Sequence, residues 1–380
     1  MRYARFSSVD AVVTALKPSY PIYCVHPKKL RSSARRFLTH WPGRVLYALK
    51  CNPSTMVLGA LYEAGIRHFD TASLPEIAQV WEMFDDAEAY FLHPVKARSV
   101  IGSAYRIYEV RHFVVDHIDE VAKIIDETGG EGVQMSVRLA TPAGHAALDL
   151  STKFGAPPED AVRLLQEVAR RGCLAGLSFH VGSQCRAPDA YRTALELSGE
   201  VLAQAGVPIA SLSVGGGFPA PYLNEVAPPL ETFIEVISEA YGALGLDSST
   251  VLMCEPGRAM VADGVSLVAQ VQLRKDDRLY INDGRFGSLS EVHFARVDLP
   301  TRLIRPGGAP SSSSHVPFTI YGPTCDGEDV LPLPFTLPED VREGDWIEIG
   351  LMGAYTSAMR SSFNGFYPDT FVVIDDPEQY

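Results

Sequence analysis

A lysine closes the apolar stretch RVLYALK (44–50). The lysine amine is the side chain that condenses with aldehydes, so Lys50 at a strand end points to an amine nucleophile. The same position also suits an ordinary surface lysine. The run LSVGGGFP (212–219) carries no side chains that would hold a ligand off the backbone. Its N–H groups can cradle a phosphate, or the glycines can simply form a turn. CEPGRAMV (254–261) sets Glu255 and Arg258 around a Pro-Gly turn, as site residues or as a surface salt bridge.

These residues need elements that bring them together. From about residue 21 to 260, apolar runs alternate with helix-like segments that often end in Gly. Candidate strands cover 44–50, 67–72, 89–95, 112–116, 133–140, 174–181, 209–215 and 249–256. Parallel strands need crossover helices, so this rhythm suggests a (β/α)8 TIM-type barrel, with a doubly wound open sheet as the rival. In a barrel, catalytic groups sit at the C-terminal strand ends. Lys50, Asp70, Arg138, His180, the Gly215–Gly217 run and Glu255 all fall there. After residue 260 the texture becomes β-like, with a low-complexity segment at 305–317 expected to be a mobile loop. The expected organisation is a barrel over 21–260 and a mainly antiparallel β domain over 261–380, joined by the N-terminal segment 1–20.

The bulk composition narrows the function. Hydrophobic residues make up 46% and charged residues 21% of the 380, the balance of a globular protein with a real core. No apolar run is long enough to span a bilayer, and the N-terminus does not read as a signal peptide. Six cysteines without any CxxC pair argue against a zinc site or disulfide framework and for reduced thiols in a cytoplasm. A net charge of −13 disfavours nucleic acid and anionic membrane as partners and is compatible with a cationic small substrate.

In order, YALKCNP, FDTAS, VRLAT, SFHVGSQ, SVGGGFP, EPGRAMV, YGPTCDGED, GAYT and FNGF resemble the successive motifs of the ornithine/lysine/diaminopimelate decarboxylases, the fold type III pyridoxal-5′-phosphate (PLP) enzymes. The resemblance implies that Lys50 holds PLP covalently, His180 stacks on its ring and Glu255 pairs with the ring nitrogen. It places the phosphate on Gly216, Gly217 and Ser183, with Arg258 and Tyr355, and sets Asp70 and Arg138 along the cofactor. It makes Cys325 the group that reprotonates Cα and Asp326 the receiver of a distal substrate ammonium. Phe363 and Phe366 either wall the site or pack in the core. No metal is implied.

The resemblance also implies a cytoplasmic homodimer with shared active sites, in which the Cys-Asp motif comes from the partner and Lys153 of LSTKFG pairs with Asp329 across the interface. Cys325-Asp326, where diaminopimelate enzymes carry a Glu after the Cys, favours L-ornithine or L-lysine and a place in polyamine biosynthesis. One departure stands out: the family's second aspartate, counted from NDG, falls on Ala295. If 288–296 forms a helical turn, Glu291 shares a face with Ala295 and can restore a two-carboxylate clamp. Alternatively Arg296 turns inward and repels an ammonium, or both charges face solvent. A decarboxylase of a modified amino acid is the second enzyme reading. An inactive relative acting as a regulatory binding protein is the third, and the presence of Lys50 and Cys325 counts against it.

Overall fold

The computed structural model describes residues 3–141, 146–148 and 153–375. Leu150–Thr152 of the LSTKFG segment lie outside the described residues. The eight expected strands form a closed barrel rather than an open sheet. In chain order they are Arg44–Ala48, His68–Thr71, Glu88–Phe91, His112–Val115, Gln134–Arg138, Leu174–Ser178, Ser211–Ser213 and Val251–Cys254. All neighbouring pairs are parallel, and the last strand closes on the first through Cys254 and Val45. Ala48 lies in register with Asp70, and Ser178 with both Arg138 and Ser213. Residues far apart in sequence therefore reach the same rim.

Helices cover the outside because parallel strands must be buried on both faces. Ile118–Thr128 shows how the sequence builds one. Val121, Ile124 and Thr128 line its buried face, Asp119 and Glu120 occupy the first turn, and Gly129 ends it at φ 73°. After the strand carrying Asp70, Ser73 caps the helix Leu74–Met83 by accepting the Glu76 N–H, while Glu76 accepts the Ala72 N–H at 2.6 Å.

The second unit is a nine-stranded mixed sheet, most of whose pairings are antiparallel. Its hub is the long strand Val265–Lys275, flanked by Ile22–Val25, Trp346–Ile349 and Arg278–Ile281. Ile22–Val25 lies inside the stretch expected to be barrel, yet it pairs in this sheet, and the barrel itself starts at Arg44. Arg5–Phe6 pairs in parallel with Thr370–Ile374, and the helix Val9–Leu16 buries Val9, Val12 and Val13 against the sheet. The segment expected as a loop over 305–317 enters the strand His315–Tyr321. No helix among the described residues is long and apolar enough to cross a membrane.

Two contacts lock the units together beside Lys50. Asn52 Nδ2 donates to the Gly353 carbonyl at 2.8 Å, and the Tyr355 N–H donates to the Cys51 carbonyl at 2.9 Å. The KCNP and GAYT motifs are thus two sides of one joint.

Candidate active site

Lys50 sits in the short 3-10 turn Leu49–Cys51 that follows the first barrel strand. Its amine lies 4.0 Å from Asp70 Oδ2 and is half-exposed, whereas Asp70 is buried. Lys50, Asp70, Arg138, His180, Ser213 and Glu255 line one cavity at the C-terminal mouth of the barrel. Burial raises both carboxyls above the usual carboxylate range, and Asp70 pushes Glu255 further in that direction. Lys50 and Arg138 oppose the rise at both. Ser213 Oγ donates to Glu255 Oε1 at 2.6 Å.

His180 Nδ1 accepts the Gly182 N–H at 3.0 Å, so that nitrogen carries no proton. Burial, with help from Arg138 and Lys50, holds the ring well below the ordinary histidine range and keeps it neutral. A neutral flat ring is suited to face another aromatic ring.

The glycine run packs tightly against this wall. Gly215 and Gly217 have φ of 68° and 102°, and a Cβ would fall 2.2 Å from the Phe179 carbonyl at Gly215 and 2.5 Å from the Gly182 carbonyl at Gly217. A Cβ on Gly216 would lie 3.2 Å from His180 Nε2. The carbonyls of Gly215, Gly216 and Gly217 accept from the Glu255 N–H, the Tyr191 hydroxyl and the Cys185 N–H. In a trans peptide the next N–H points the opposite way, so the run presents donors on its far side. Beside it, Arg258 donates to Ser183 Oγ at 3.2 Å and to the Tyr222 hydroxyl at 2.9 Å, and its carbon lies 4.9 Å from the Tyr355 ring centre. Arg258 Nε is buried with no partner among the described residues.

The family model "Pyridoxal-dependent decarboxylase, pyridoxal binding domain" matches residues 27–262. The chain belongs to the pyridoxal-dependent decarboxylases. A lysine/ornithine decarboxylase of Selenomonas ruminantium is 33% identical over 394 residues, covering 100% of this chain and 96% of that protein. The lysine/ornithine decarboxylase of Vibrio vulnificus, solved with putrescine, superposes with a TM-score of 0.83 at 29% identity over 97% of this chain and 99% of its own. The arginine decarboxylase of Paramecium bursaria Chlorella virus, bound to agmatine, gives 0.86 at 27% identity over 96% and 99%. The cofactor of this family is pyridoxal phosphate, and the chain is an enzyme of this decarboxylase fold. The donor set fits the cofactor: an amine for its aldehyde, a half-buried carboxylate for its ring nitrogen, and an orphaned guanidinium N–H beside a glycine cradle for its phosphate.

Not every expected residue joins the cavity. Cys325, Asp326 and Phe363 do not line it and lie exposed on the sheet unit. Cys325 Sγ and N–H both contact Asn364 Oδ1, at 3.3 and 3.2 Å, and Phe363 lies against Phe286. Phe363 and Phe366 are 42% and 43% exposed, so neither packs in the core. Asp329, expected to take Lys153 of a second copy, is buried and accepts from Thr324 and from the Arg285 N–H of its own chain.

Glu291 requires a correction. The expected helical turn exists as Ser290–Ala295, but Glu291 is buried in an ion pair with Arg258. A guanidinium within reach captures the carboxylate, so Glu291 is not free to receive a substrate ammonium. Ala295 is buried, and Arg296 is exposed on its own chain. Ser213, Tyr222 and Asn364 were not singled out from sequence. Only Ser213 left a signal, as the inward-facing residue two places before the glycine run.

Proposed function

We propose that this enzyme decarboxylates a basic amino acid, with L-ornithine or L-lysine as the lead substrates, in the cytoplasm and in polyamine biosynthesis. The single observation that carries the reading is the convergence of Lys50, Asp70, Arg138, His180 and Glu255 on one cavity. Bound pyridoxal phosphate supplies an electron sink for the electrons left when CO2 departs. Lys50 is the amine that holds the cofactor, and Asp70 at 4.0 Å orients it. Glu255, fixed by Ser213, keeps a proton at the ring nitrogen. His180 covers one ring face, and Gly216, Gly217, Ser183, Arg258 and Tyr355 hold the phosphate. The named substrates of the Selenomonas and Vibrio relatives and the acidic Asp326 support a substrate with a distal amine.

The working unit is a homodimer with shared sites. Its support is that Cys325 and Asp326 lie outside the Lys50 cavity of their own chain, beside the half-exposed Phe363, Phe366 and Tyr367. In that arrangement the Cys325 thiol of one copy delivers the proton to Cα in the other copy's site. The free state of all the cysteines agrees with a reducing compartment.

The test is CO2 release from ornithine, lysine, arginine, diaminopimelate and amide-bearing amino acids at equal concentration, with borohydride reduction and mass spectrometry on the same protein. Ornithine or lysine is expected to lead, with a pyridoxyl group on Lys50. Turnover confined to substrates without a distal amine, or an unmodified Lys50, overturns the proposal.

A further inference from the structure

Arg258 and Glu291 form an ion pair whose side chains are 4% and 6% exposed. A guanidinium has five N–H donors. Arg258 uses Nη2 on Glu291 and Ser183 and Nη1 on Tyr222, and it leaves Nε buried without a partner. Around Glu291 stand Arg258, Tyr222, Tyr355 and Cys51. Arg258 is the cation among them.

A phosphate drawn to the free Nε–H therefore meets a cation that is already matched. A carboxylate and a phosphate dianion would then share one planar guanidinium, out of bulk water, where like charges repel strongly. Burial alone already raises the Glu291 carboxyl above its ordinary value, and Arg258 opposes that rise. Protonation of Glu291 removes the repulsion, and its carbonyl oxygen can still accept from Nη2. We infer that Glu291 takes up a proton from solvent when a phosphate-bearing ligand enters the Arg258 pocket, so that ligand retention weakens as the pH rises above neutrality. The inference rests on the phosphate reading of Arg258 given above.

The test uses the apoenzyme and 4-deoxypyridoxine 5′-phosphate, which has no aldehyde to react with Lys50. Calorimetric titration at pH 8, in two buffers of different ionisation enthalpy, counts the protons taken up. At that pH the ligand phosphate is a dianion, its second pKa being about 6. Wild type should take up close to one proton per ligand more than Glu291→Gln, a difference that cancels any proton taken up at the ring nitrogen beside Glu255. Glu291→Gln should bind tighter by on the order of 10-fold, with the gap closing toward pH 6. Equal uptake in both proteins, with Arg258→Met binding weakened, overturns the inference and leaves the phosphate reading standing. Unweakened binding by Arg258→Met overturns both. Should Glu291→Gln fail to fold, wild-type binding without proton uptake overturns the inference on its own.

Discussion

Ser213 and Glu255 come from the ends of adjacent barrel strands and meet in a 2.6 Å hydrogen bond at the barrel mouth. The bond leaves a half-buried carboxylate aimed by a neighbour rather than by solvent. Glu255→Gln keeps the shape and the hydrogen bond but cannot hold a proton at a ring nitrogen as a carboxylate does. We expect the variant to bind pyridoxal phosphate, seen as retained yellow absorbance, and to lose on the order of 10²–10³ in kcat. Wild-type turnover in that variant would place the charge elsewhere.

Placement of Cys325 outside the Lys50 cavity gives a sharp test of the shared site. Lys50→Ala and Cys325→Ala homodimers should each be nearly inactive. After verified subunit exchange, half of the dimers are mixed, and each carries one intact site. Activity should then recover to about a quarter of the wild-type level, as expected for a two-fold arrangement. No recovery would show that the two residues act within one chain.

His112 lies inside the barrel, stacked on Tyr90 at 4.2 Å, and burial lowers its pKa to about 4. Its unfolded value is about 6.5. Between these values the unfolded chain holds the proton and the folded chain does not. Stability from this group is therefore full above about pH 6.5 and is lost as the pH falls through about 4. Urea melts of apoenzyme should show about 2 kcal/mol less stability at pH 5 than at pH 7 from His112 alone. His180, shifted the same way by burial, adds to the slope. In His112→Phe the slope should flatten by that amount, and an unchanged slope would refute the assignment.

Sequence pattern suggests the barrel because each strand is a short apolar run ended by a polar group, as at Lys50, Arg138 and His180, but only the order of the motifs separates it from a doubly wound sheet. It misplaced Ile22–Val25 because a fully buried strand reads alike in a parallel barrel and in the middle of a mixed sheet. In the second unit the sequence shows only a β-like texture, because strands such as Thr301–Ile304 and Phe335–Pro338 are too short to form a long alternating run. The site partners were harder still. Arg258 and Glu291 are joined by tertiary packing across 33 residues, and no helical or strand period connects them. The i, i+4 spacing of Glu291 and Ala295 marks a helical turn that the structure has at Ser290–Ala295, but no local pattern announces that Glu291 meets Arg258.

With Glu291 committed to Arg258 and Ala295 uncharged, Asp326 is the carboxylate proposed to receive a distal ammonium. One of its oxygens accepts the Glu328 N–H at 2.8 Å, which fixes the side chain at the exposed edge beside Cys325. A charge-assisted hydrogen bond to such a carboxylate is worth roughly 1.5–3 kcal/mol. Asp326→Asn keeps the Glu328 contact and removes the charge. We expect KM for ornithine or lysine to rise on the order of 10- to 100-fold, with a smaller change in kcat, because the ammonium is held equally in ground and transition states. A substrate whose distal group is an amide should be little affected. Steady-state kinetics on both substrate types distinguishes the cases. If Asp326→Asn lowers kcat for both alike and leaves KM unchanged, Asp326 is not the ammonium receptor but acts on the chemistry through the neighbouring Cys325.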